Sequence, residues 1–494
     1  MNTLLVYPKY PNTFWSFKYS LEQFTSEKAS FPPLGLMTVG AMLPKDWNLK
    51  LVDMNVGELT DTHVEWADLV FVSAMLAQAQ SAQDVIRRCK KAGKRIVVGG
   101  PAFTACHEKF SGFDHVVSGE AEDILPLFLG DLEKGSAKKI YASSGKPSLA
   151  GTPVPLWPLI NFADYSTMPL QFSRGCPFNC EFCDIIVMYG RRQRAKTPGQ
   201  MIREFQSLYE AGWKGSVFVV DDNLIGNIKK VKEMLRWLIA WQKRHNYPFK
   251  LITEASVNLA DDEELLKLMA EANFHEVFVG IETVSEGSLE ECGKSQNLKR
   301  NLVEAVRTIH RHGLQVMGGF ILGFDSDDPE RIFDDLIDFI QETGVVIAMV
   351  GILNALPETR LWHRLKKEGR VIEGISRGEN TDGDTNILPL MGKEKLIRGY
   401  KKVITAIYSP RMYYARIDAM LKYLRPVSHG RISIRELKIL LKSLWKIGIL
   451  AKNRRFLFWK LFGKTLLLSK SRFPAAIKLA VFGEHLQQFA KRFE

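Results

Sequence analysis

The sequence predicts an α/β fold in three parts: a Rossmann-like domain over residues 1–145, a second run of β/α units over residues 160–388, and a basic α-helical domain over residues 389–494. Two observations predict the first two parts: short apolar runs alternate with stretches of helical periodicity, and Gly- or Pro-containing turns separate them. The last part differs because its Lys and Arg residues far outnumber its Asp and Glu residues. At 494 residues and 46% hydrophobic content, the chain is long enough for two or three domains with ordinary cores.

The first part alternates five candidate strands with helical segments, as in a doubly wound sheet. Ligands of such sheets bind beyond the carboxyl ends of the strands, and these ends carry Asp53 and Asn55, then Ser73, then Gly99 and Gly100. The five residues are therefore candidates for ligand contacts, although turn residues of an empty flavodoxin-like domain would show the same pattern. The predicted strands are Thr3–Tyr7, Leu49–Asp53, Leu69–Ser73, Arg95–Val98 and His115–Val117, and helical spacing occurs around Leu34–Leu43 and Ser81–Lys91.

A connection containing Pro and Ser, Ser143–Pro158, leads to six further β/α units. Acidic residues stand at the ends of three of their strands: Asp221 and Asp222, then Glu254, then Glu282. One acidic strand end is more often a cap for the next helix, but three in succession at one edge favour a binding site. The predicted strands are Met168–Ser173, Ser216–Val220, Leu251–Ala255, Glu276–Ile281, Gln315–Leu322 and Val346–Leu353.

Three cysteines in a C-x-x-x-C-x-x-C spacing carry the strongest chemical signal. Cys176, Cys180 and Cys183 lie within eight residues of one loop, so their thiolates can converge on an iron–sulfur cube and leave one iron open. Structural zinc would need a fourth ligand, and no other Cys or His lies within ten residues on either side. A chance cluster and a disulfide framework are weaker alternatives, because half of the six cysteines fall in this loop and no secretory leader is evident.

The cysteine spacing, with the aromatic Phe182 before the third Cys, resembles the cluster loop of the radical S-adenosylmethionine (SAM) enzymes. The resemblance implies a partial (β/α)6 barrel, a 4Fe–4S cluster on the three cysteines and SAM chelated to the open iron. In that family, reductive cleavage of SAM gives a 5′-deoxyadenosyl radical that abstracts hydrogen from an unactivated carbon. Arg174 flanks the loop, and we expect it either to face the anionic cluster or to belong to a solvated charge patch.

The same resemblance assigns expected SAM contacts in the second part. Asp221 and Asp222 are expected at the SAM amino group, although the family's usual G-G-E is absent there. Glu254 and Glu282 are expected at the ribose hydroxyls or the methionine moiety. Three residues of the run GGFILGFD resemble the motif that packs beside adenine: Gly319, Ile321 and Gly323.

The strand ends of the first part resemble, in degenerate form, the D-x-H-x-x-G, S-x-L and G-G pattern of cobalamin-binding domains. Asn55 stands where the cobalt-ligating His would be, Glu58 replaces the Gly, and Met75 replaces the Leu. An amide is a poor cobalt ligand compared with imidazole, so we expect cobalamin to bind here without a protein His on the metal. This domain followed by the cysteine loop is the known order of the cobalamin-dependent radical SAM class.

The C-terminal region accounts for the whole net positive charge of the chain. Residues 391–494 hold 24 Lys and Arg against 5 Asp and Glu, and apolar residues are interleaved with these cations at helical spacing. That composition is typical of a helix lying on anionic lipid, while a helical domain packed on the barrel is an equal alternative. A nucleic-acid arm would not need this much Leu, Phe and Trp, so we expect no nucleic acid partner. We also expect a cytoplasmic protein, because no signal peptide and no transmembrane run is evident.

The resemblances together predict a cobalamin-dependent radical SAM methyltransferase acting on an unactivated carbon of a hydrophobic polycycle. Methylcobalamin would supply the methyl group, and a reductant such as flavodoxin or ferredoxin would supply electrons. Within this class the chain resembles the hopanoid methylases and the bacteriochlorophyllide methyltransferases, and the sequence does not separate them. Two alternatives stay open: a radical SAM enzyme that joins or cyclises carbons without methyl transfer, and a non-catalytic cobalamin or cluster sensor.

Overall fold

Two parallel six-stranded sheets, each flanked by helices, and a group of C-terminal helices make up the computed structural model. The structure describes residues 1–143, 145–372, 374, 378–427 and 434–494. Both sheets and the C-terminal helices follow the predicted α/β class. Among the helices of these ranges, none combines the length and the apolar character needed to cross a membrane.

The first sheet has the strand order β2-β1-β3-β4-β5-β6, and all its strands are parallel. The five predicted strands are confirmed to within one residue at each end; β1, β3, β4 and β5 are short, mostly buried apolar runs, whereas β2 buries only its last two residues. The sequence did not predict β6, whose three residues alternate between exposed and buried positions. The strands are β1 Asn2–Tyr7, β2 Asn48–Asp53, β3 Leu69–Ser73, β4 Arg95–Gly99, β5 His115–Ser118 and β6 Ile140–Ala142, and the helices are α1 Lys18–Phe24, α2 Leu34–Met42, α3 Asp61–Trp66, α4 Ala79–Lys91, α5 Pro101–Cys106 and α6 Ala121–Glu133.

The second sheet has the order β7-β10-β11-β12-β13-β14, is parallel throughout, and leaves β7 and β14 unpaired with each other within the described ranges. It is therefore an open barrel. The predicted strand Met168–Ser173 is wrong in its second half, because the chain leaves the sheet after Leu170 and forms the short antiparallel pair β8–β9. The strands are β7 Thr167–Leu170, β8 Ser173–Arg174, β9 Arg194–Ala195, β10 Ser216–Val219, β11 Lys250–Ala255, β12 Phe274–Glu282, β13 Gln315–Leu322 and β14 Ala348–Ile352.

Eight helices accompany these strands within the described residues. Most follow a strand and return the chain for the next parallel strand, as β/α units require. They are α7 Ile185–Tyr189, α8 Pro198–Glu210, α9 Ile228–Arg244, α10 Glu263–Glu271, α11 Glu286–Glu291, α12 Leu302–Arg311, α13 Ile332–Thr343 and α14 Arg360–Lys367.

The C-terminal helices are joined to the barrel by a shared core. Tyr400, Tyr408 and Tyr413 are buried in it, and the fully buried Arg416 donates hydrogen bonds to Gln341 Oε1 at 2.8 Å and to the Val346 carbonyl at 3.2 Å. Removing the whole C-terminal part would therefore open the core of the barrel. The helices are α15 Lys393–Tyr408, α16 Pro410–Tyr423, α17 Ile434–Trp445, α18 Arg455–Leu468 and α19 Phe473–Ala490, and a π-helical turn, Lys446–Leu450, joins α17 toward α18.

Candidate active site

The cysteine loop leaves the second sheet at the carboxyl end of β7 and is held by a glycine that no other residue can replace without strain. Gly175 has φ +91°, and a Cβ there would lie 2.8 Å from the Gly190 carbonyl oxygen. The next amide, of Cys176, donates to that same carbonyl at 3.3 Å. The close approach lets the loop turn back along the hairpin β8–β9 and present its thiols on one side.

A second set of contacts fixes the loop from the far side of the barrel. The Glu181 amide donates to the Cys292 carbonyl at 2.8 Å, and the Arg364 guanidinium donates to both Glu181 carboxylate oxygens at 2.8 and 3.1 Å. Such a forked pair sets the orientation of both planar groups. The loop between Cys180 and Cys183 is thus positioned by α14 and by the segment after α11.

Side-chain amides approach two of the three thiols. Asn223 Nδ2 lies 3.7 Å from Cys176 Sγ, and Gln296 Nε2 lies 3.9 Å from Cys180 Sγ. Burial raises the pKa of Cys183, and the neighbouring Asp184, Cys180 and Cys176 charges add to that rise. No group of three or more His, Cys, Asp or Glu side chains in the described ranges is arranged to hold a single metal ion. Iron–sulfur clusters take thiolate ligands, and the three cysteines of this loop are free thiols.

Asp221, expected at the SAM amino group, is instead used to hold the start of the cysteine loop. Its carboxylate accepts the Phe172 amide at 2.7 Å and the Ser173 hydroxyl, and the residue is 1% exposed. Burial raises the pKa of Asp221 to about 7 despite these hydrogen bonds. A positioning role explains this geometry better than a direct cofactor contact.

Asp222 and Glu254 are neighbouring carboxyl groups that form no ion pair within the described ranges, and the charge of Arg174 only partly offsets the rise in the pKa of Asp222. Asp222 Oδ2 is buried and has no hydrogen-bond partner among the described residues. Burial, then the Asp221 and Asp184 charges, raises the pKa of Asp222 to about 7. Burial, then the Asp222 and Asp221 charges, raises the pKa of Glu254 to about 8. A cationic ligand would relieve both the desolvation and the mutual repulsion.

Glu282 already has a cationic partner. Lys294 Nζ donates to Glu282 Oε1 at 2.5 Å, and both side chains are 10% exposed. Glu282 adopts φ +67°, which is uncommon for a non-glycine residue and places its side chain beside Gly280. The Lys294 charge also acts on the Cys180 thiol. Glu282 is thus arranged to hold a cation beside the cysteine loop, a role the sequence pattern did not reveal.

The residues expected beside adenine lie on the inner side of the barrel. A Cβ on Gly319 would stand 2.7 Å from the Phe278 ring, so this position admits no side chain without moving that ring. Ile321 belongs to a small apolar cluster that also includes Phe324, and Phe182 packs against the same cluster with its ring 6.2 Å from that of Phe324. The structure therefore brings Ile321 and Phe182 together.

Asp53 and Asn55, the first expected cobalamin contacts, use their polar atoms within the protein. Asp53 accepts hydrogen bonds from the Asn55 amide at 2.9 Å and from the Tyr165 hydroxyl at 3.0 Å, while Asn55 Oδ1 accepts the Tyr10 amide at 2.8 Å. Asn55 Nδ2 also donates to Asp53 Oδ1 at 2.7 Å. These contacts hold the loop after β2 against the segment that enters the barrel. Both residues therefore stabilise the loop at the edge of the first sheet.

Ser73, Gly99 and Gly100 line a cleft at the carboxyl ends of β3 and β4, together with apolar side chains such as Phe71 and Val117. Gly100 has φ +86°, and a Cβ there would lie 2.5 Å from Ser73 Oγ. The two glycines thus keep the backbone bare where the cleft passes between strands. A narrow apolar cleft with bare backbone fits the insertion of a large planar or nucleotide-bearing ligand.

Four charged residues connect the two sheets. Arg174 donates to Glu120 at 2.7 Å and to Glu122 at 2.8 Å, and Arg194 donates to both oxygens of Glu120 at 2.8 and 2.9 Å. The four side chains are between 4% and 15% exposed. We call this set the interdomain ion network. The expectation that Arg174 faces the cluster or solvent is wrong, because its guanidinium is taken up by these carboxylates.

The inner face of the barrel changes from polar to apolar toward the amino ends of its strands. Alternate residues of a strand share a face, so Ile252 lies below Glu254 on β11. Four apolar side chains on this face stay partly accessible: Phe218, Ile252, Phe278 and, on the edge strand β14, Met349.

Two aromatic residues of the N-terminal segment border this apolar half. The Trp15 ring centroid lies 5.3 Å from that of Phe278, and its Nε1 lies 3.0 Å from Met349 Sδ. The Phe31 ring lies 5.9 Å from that of Phe218 and is 42% exposed. The site as a whole is a lumen with carboxylates and thiols at one end and aromatic and aliphatic side chains at the other.

Known protein families match all three parts of the chain. Family models described as "Radical SAM superfamily" and "B12 binding domain" match residues 170–340 and 25–129, and one described as a domain of unknown function matches residues 359–494. An uncharacterized methyltransferase of Synechocystis sp. is 40% identical over 99% of this chain and 92% of its own length. The hopanoid C-2 methylase of Rhodopseudomonas palustris is 34% identical over 92% of this chain and 88% of its own. The solved structure of the cobalamin-dependent S-adenosylmethionine radical enzyme OxsB covers 99% of this chain and 80% of its own at TM-score 0.63 and 15% identity, which shows a shared fold.

Proposed function

Because this chain belongs to the cobalamin-dependent radical SAM methyltransferases, we propose that it methylates an unactivated carbon of a hydrophobic polycycle of the hopanoid or chlorophyll type. We infer the substrate class from one observation, the apolar half of the barrel. Phe218, Ile252, Phe278 and Met349 offer a partly accessible apolar wall, and burying such surface against a polycycle is favourable at about 25 cal/mol per Å². A polar substrate would lose its hydration there without gaining hydrogen bonds.

The residues at the polar end of the barrel fit the binding of an iron–sulfur cluster and the binding of SAM. Cys176, Cys180 and Cys183 would hold the 4Fe–4S cluster, because they are the thiol donors of one anchored loop. Asp222 and Glu254 would hold the cationic part of SAM, because they are half-buried carboxyls with raised pKa values and form no ion pair within the described ranges. When bound, the cluster and SAM supply a hydrogen-abstracting radical, and cobalamin supplies the methyl group.

We place cobalamin at the cleft of the first sheet. Ser73, Gly99 and Gly100 would border it, since their small or absent side chains leave the cleft open. No His takes part in the hydrogen-bonded loop formed by Asp53 and Asn55, and the Asn55 amide is already bonded to Tyr10 and Asp53. The protein would therefore leave the lower face of cobalt without a side-chain imidazole.

The chain's own residues would divide three further tasks. The interdomain ion network holds the cleft of the first sheet over the cysteine loop. Lys294, paired with Glu282, keeps a positive charge beside Cys180. Phe278 and its apolar neighbours exclude water from the carbon to be methylated. We further propose a cytoplasmic one-electron reductant such as flavodoxin or ferredoxin, and peripheral association of residues 391–494 with the inner face of an anionic membrane.

The direct test uses the anaerobically purified protein with cluster and cobalamin restored, a reductant, and SAM carrying a deuterated methyl group. A hopanoid and a chlorophyll-type pigment are offered in separate detergent micelles, and products are weighed by accurate mass. We expect one acceptor class to gain the labelled methyl. A product of unchanged carbon count would instead favour carbon–carbon bond formation, and absence of SAM cleavage would favour a sensor.

A paired substitution tests the apolar half separately. Ile252→Glu places a carboxylate on its wall and should abolish methylation while iron and cobalamin contents stay at wild-type values. Leu127→Glu, at a 65% exposed position of the first domain, is the control and should retain activity. Full methylation by the Ile252→Glu variant would contradict the proposed substrate position.

A further inference from the structure

Three consecutive elements of the C-terminal region, α17, the π-helical turn and α18, expose large apolar side chains. Ten of the nineteen exposed large hydrophobic residues in the described protein lie between residues 434 and 467. On α17 they recur with helical spacing and so share one face. We call this surface, on α17, the π-helical turn and α18, the apolar face; its most exposed members include Ile434 (76%), Leu441 (59%), Trp445 (57%), Leu450 (58%), Phe456 (78%) and Leu467 (79%).

The apolar face is additional to the side of these helices that packs on the protein. Ile447, Phe458 and Leu461 are 0%, 0% and 3% exposed and belong to the main core. The same helices therefore satisfy their packing with one side and leave a second apolar side to solvent. Soluble monomers rarely expose contiguous apolar surface of this kind unless it has a partner.

Cations surround the apolar face. Residues 434–467 hold nine Lys and Arg and one acidic residue, and that acidic residue, Glu436, is paired with Lys250. Four of the cations are exposed and take part in no ion pair within the described ranges, so they are available to an anionic partner: Lys438, Lys452, Arg455 and Lys460.

We propose that the apolar face docks on the surface of an anionic lipid bilayer, with α17 and α18 lying in the interface. Trp445 and Phe456 would enter the boundary between headgroups and acyl chains, and the neighbouring cations would contact lipid phosphates. A second copy of this chain would bring two cationic surfaces together, which disfavours a symmetric dimer through this face. This assignment narrows the membrane association of residues 391–494 proposed above to two of its five described helices.

The apolar face lies on the side of the barrel where the strands begin. Glu436 pairs with Lys250, the first residue of β11, and Arg435 Nε lies 2.8 Å from Glu27 Oε1. Lys442 Nζ reaches the Thr25 carbonyl at 3.4 Å. Phe31, which borders the apolar half of the barrel, follows the same segment of chain. A docked bilayer would therefore lie near the apolar end of the lumen. That the bilayer delivers substrate to this end rests on the proposed function.

The test is flotation of the full-length holoprotein with vesicles of phosphatidylcholine alone or with one third phosphatidylglycerol. Binding to the anionic vesicles should exceed binding to the neutral ones at least tenfold at 0.1 M salt. It should weaken strongly at 1 M salt, where the Debye length falls from about 10 to about 3 Å. Equal binding to both vesicle types would overturn the proposal, as would dimerisation in analytical ultracentrifugation that buries the apolar face without lipid binding.

Two variants and one control locate the surface. Leu441→Gln/Trp445→Gln/Phe456→Gln removes apolar contacts, Lys438→Gln/Lys452→Gln/Lys460→Gln removes charge, and each should lower vesicle binding at least tenfold with unchanged circular dichroism. Trp237→Gln, at a 55% exposed position on α9, is the control and should bind like wild type. If both triple variants bind vesicles like wild type, the protein does not bind lipid through the apolar face.

The proposed function is separated by assaying methylation in parallel. Both triple variants should keep full activity on substrate in detergent micelles and lose activity on substrate in anionic vesicles. If methylation is absent in both media while wild-type flotation persists, the function is wrong and the docking surface stands. If flotation fails while methylation in micelles proceeds, the docking surface is wrong and the function stands.

Discussion

Replacing Arg174 with Met would remove the cation that links the first sheet to the cysteine loop. Its guanidinium donates to Glu120 at 2.7 Å and to Glu122 at 2.8 and 3.0 Å, and the three side chains are 13%, 4% and 8% exposed. The substitution therefore leaves buried carboxylates with fewer partners. Glu120 keeps Arg194, and Glu122 keeps only the Thr152 hydroxyl at 3.0 Å among its described side-chain partners.

Breaking a buried pair on one side costs about 3–5 kcal/mol, whereas an exposed ion pair contributes about 0.2–1 kcal/mol. Because Glu120 retains a second arginine, we expect Arg174→Met to cost about 3 kcal/mol, the lower end of that range. The double variant Arg174→Met/Glu122→Gln removes the stranded charge and should recover part of this loss. A double-mutant cycle with Glu122→Gln measures the coupling directly.

The measurement is urea denaturation of the anaerobic holoprotein, followed by near-ultraviolet circular dichroism and by release of bound cobalamin. Arg87→Met is the control, since Arg87 and Asp84 form an ion pair that is 64% and 57% exposed. If Arg174→Met lowers the free energy of unfolding no more than Arg87→Met does, Arg174 does not stabilise the protein through a buried ion pair. The same conclusion follows if the double variant is no more stable than the single one. Misaligned sheets should also raise the ratio of 5′-deoxyadenosine to methylated product.

The network has a defined pH dependence. Burial alone would raise the pKa of Glu122, but the hydrogen bond and charge of Arg174 outweigh it and lower that pKa below its usual 4.5. A carboxyl with a lowered folded-state pKa contributes stability above its unfolded pKa and loses it as the pH falls through the folded value. The difference between wild type and Arg174→Met should therefore be full near pH 7 and shrink below about pH 4.5.

Three further outcomes test the site. Alanine at any of the three loop cysteines should abolish iron–sulfur absorption and SAM cleavage, while Cys89→Ala, at a buried position far along the chain, should preserve both; four irons per chain in any loop variant would contradict this. Electron paramagnetic resonance of the bound cob(II)alamin should show no nitrogen superhyperfine splitting from an axial imidazole, because Asn55 is bonded to Tyr10 and Asp53. Burial, then the Asp222 and Asp221 charges, raises the pKa of Glu254 from 4.5 to about 8. The unfolded chain therefore loses this proton at a lower pH than the folded one does, and the free energy of unfolding falls as the pH rises from about 4.5 to about 8. Glu254→Gln should therefore raise the melting temperature more at pH 9 than at pH 5, and an equal effect at both would count against a buried, protonated carboxyl.

Periodicity predicted both sheets well because their strands are local features. Leu69–Ser73 and Gln315–Leu322 are found with their predicted bounds, since each is a continuous apolar run between turns. The end of β7 was wrong because a side chain distant in sequence decides it. Asp221 accepts the Phe172 amide and draws the chain out of the sheet after Leu170. No pattern in Met168–Ser173 itself records that contact.

The site was predictable to the extent that a residue type alone limits its chemistry. Three cysteines in one loop have few uses, so the sequence located them. The partners of charged residues depend instead on the assembled fold. Lys294 lies beside Cys180, and Arg174 is paired with Glu120 and Glu122 at the start of α6 in the first domain. The composition of residues 391–494 likewise predicted a cationic apolar region, but burial of α15, α16 and α19 had to be seen before α17 and α18 stood out.

The polarity of the barrel implies that its two kinds of ligand arrive from opposite ends. The carboxyl ends of the strands carry Asp222, Glu254 and the cysteine loop, where a charged, water-borne cofactor is stabilised. The amino ends carry an apolar wall bordered by Trp15 and Phe31, with the apolar face of the C-terminal helices on the same side. A lipid-soluble polycycle could then pass from a bilayer into the lumen without crossing water, and only its leading carbon would reach the polar end. Under this arrangement, the identity of the methylated carbon is set by how far the polycycle enters, so shortening Phe278 should shift the position of methylation along the ring system before it lowers the rate.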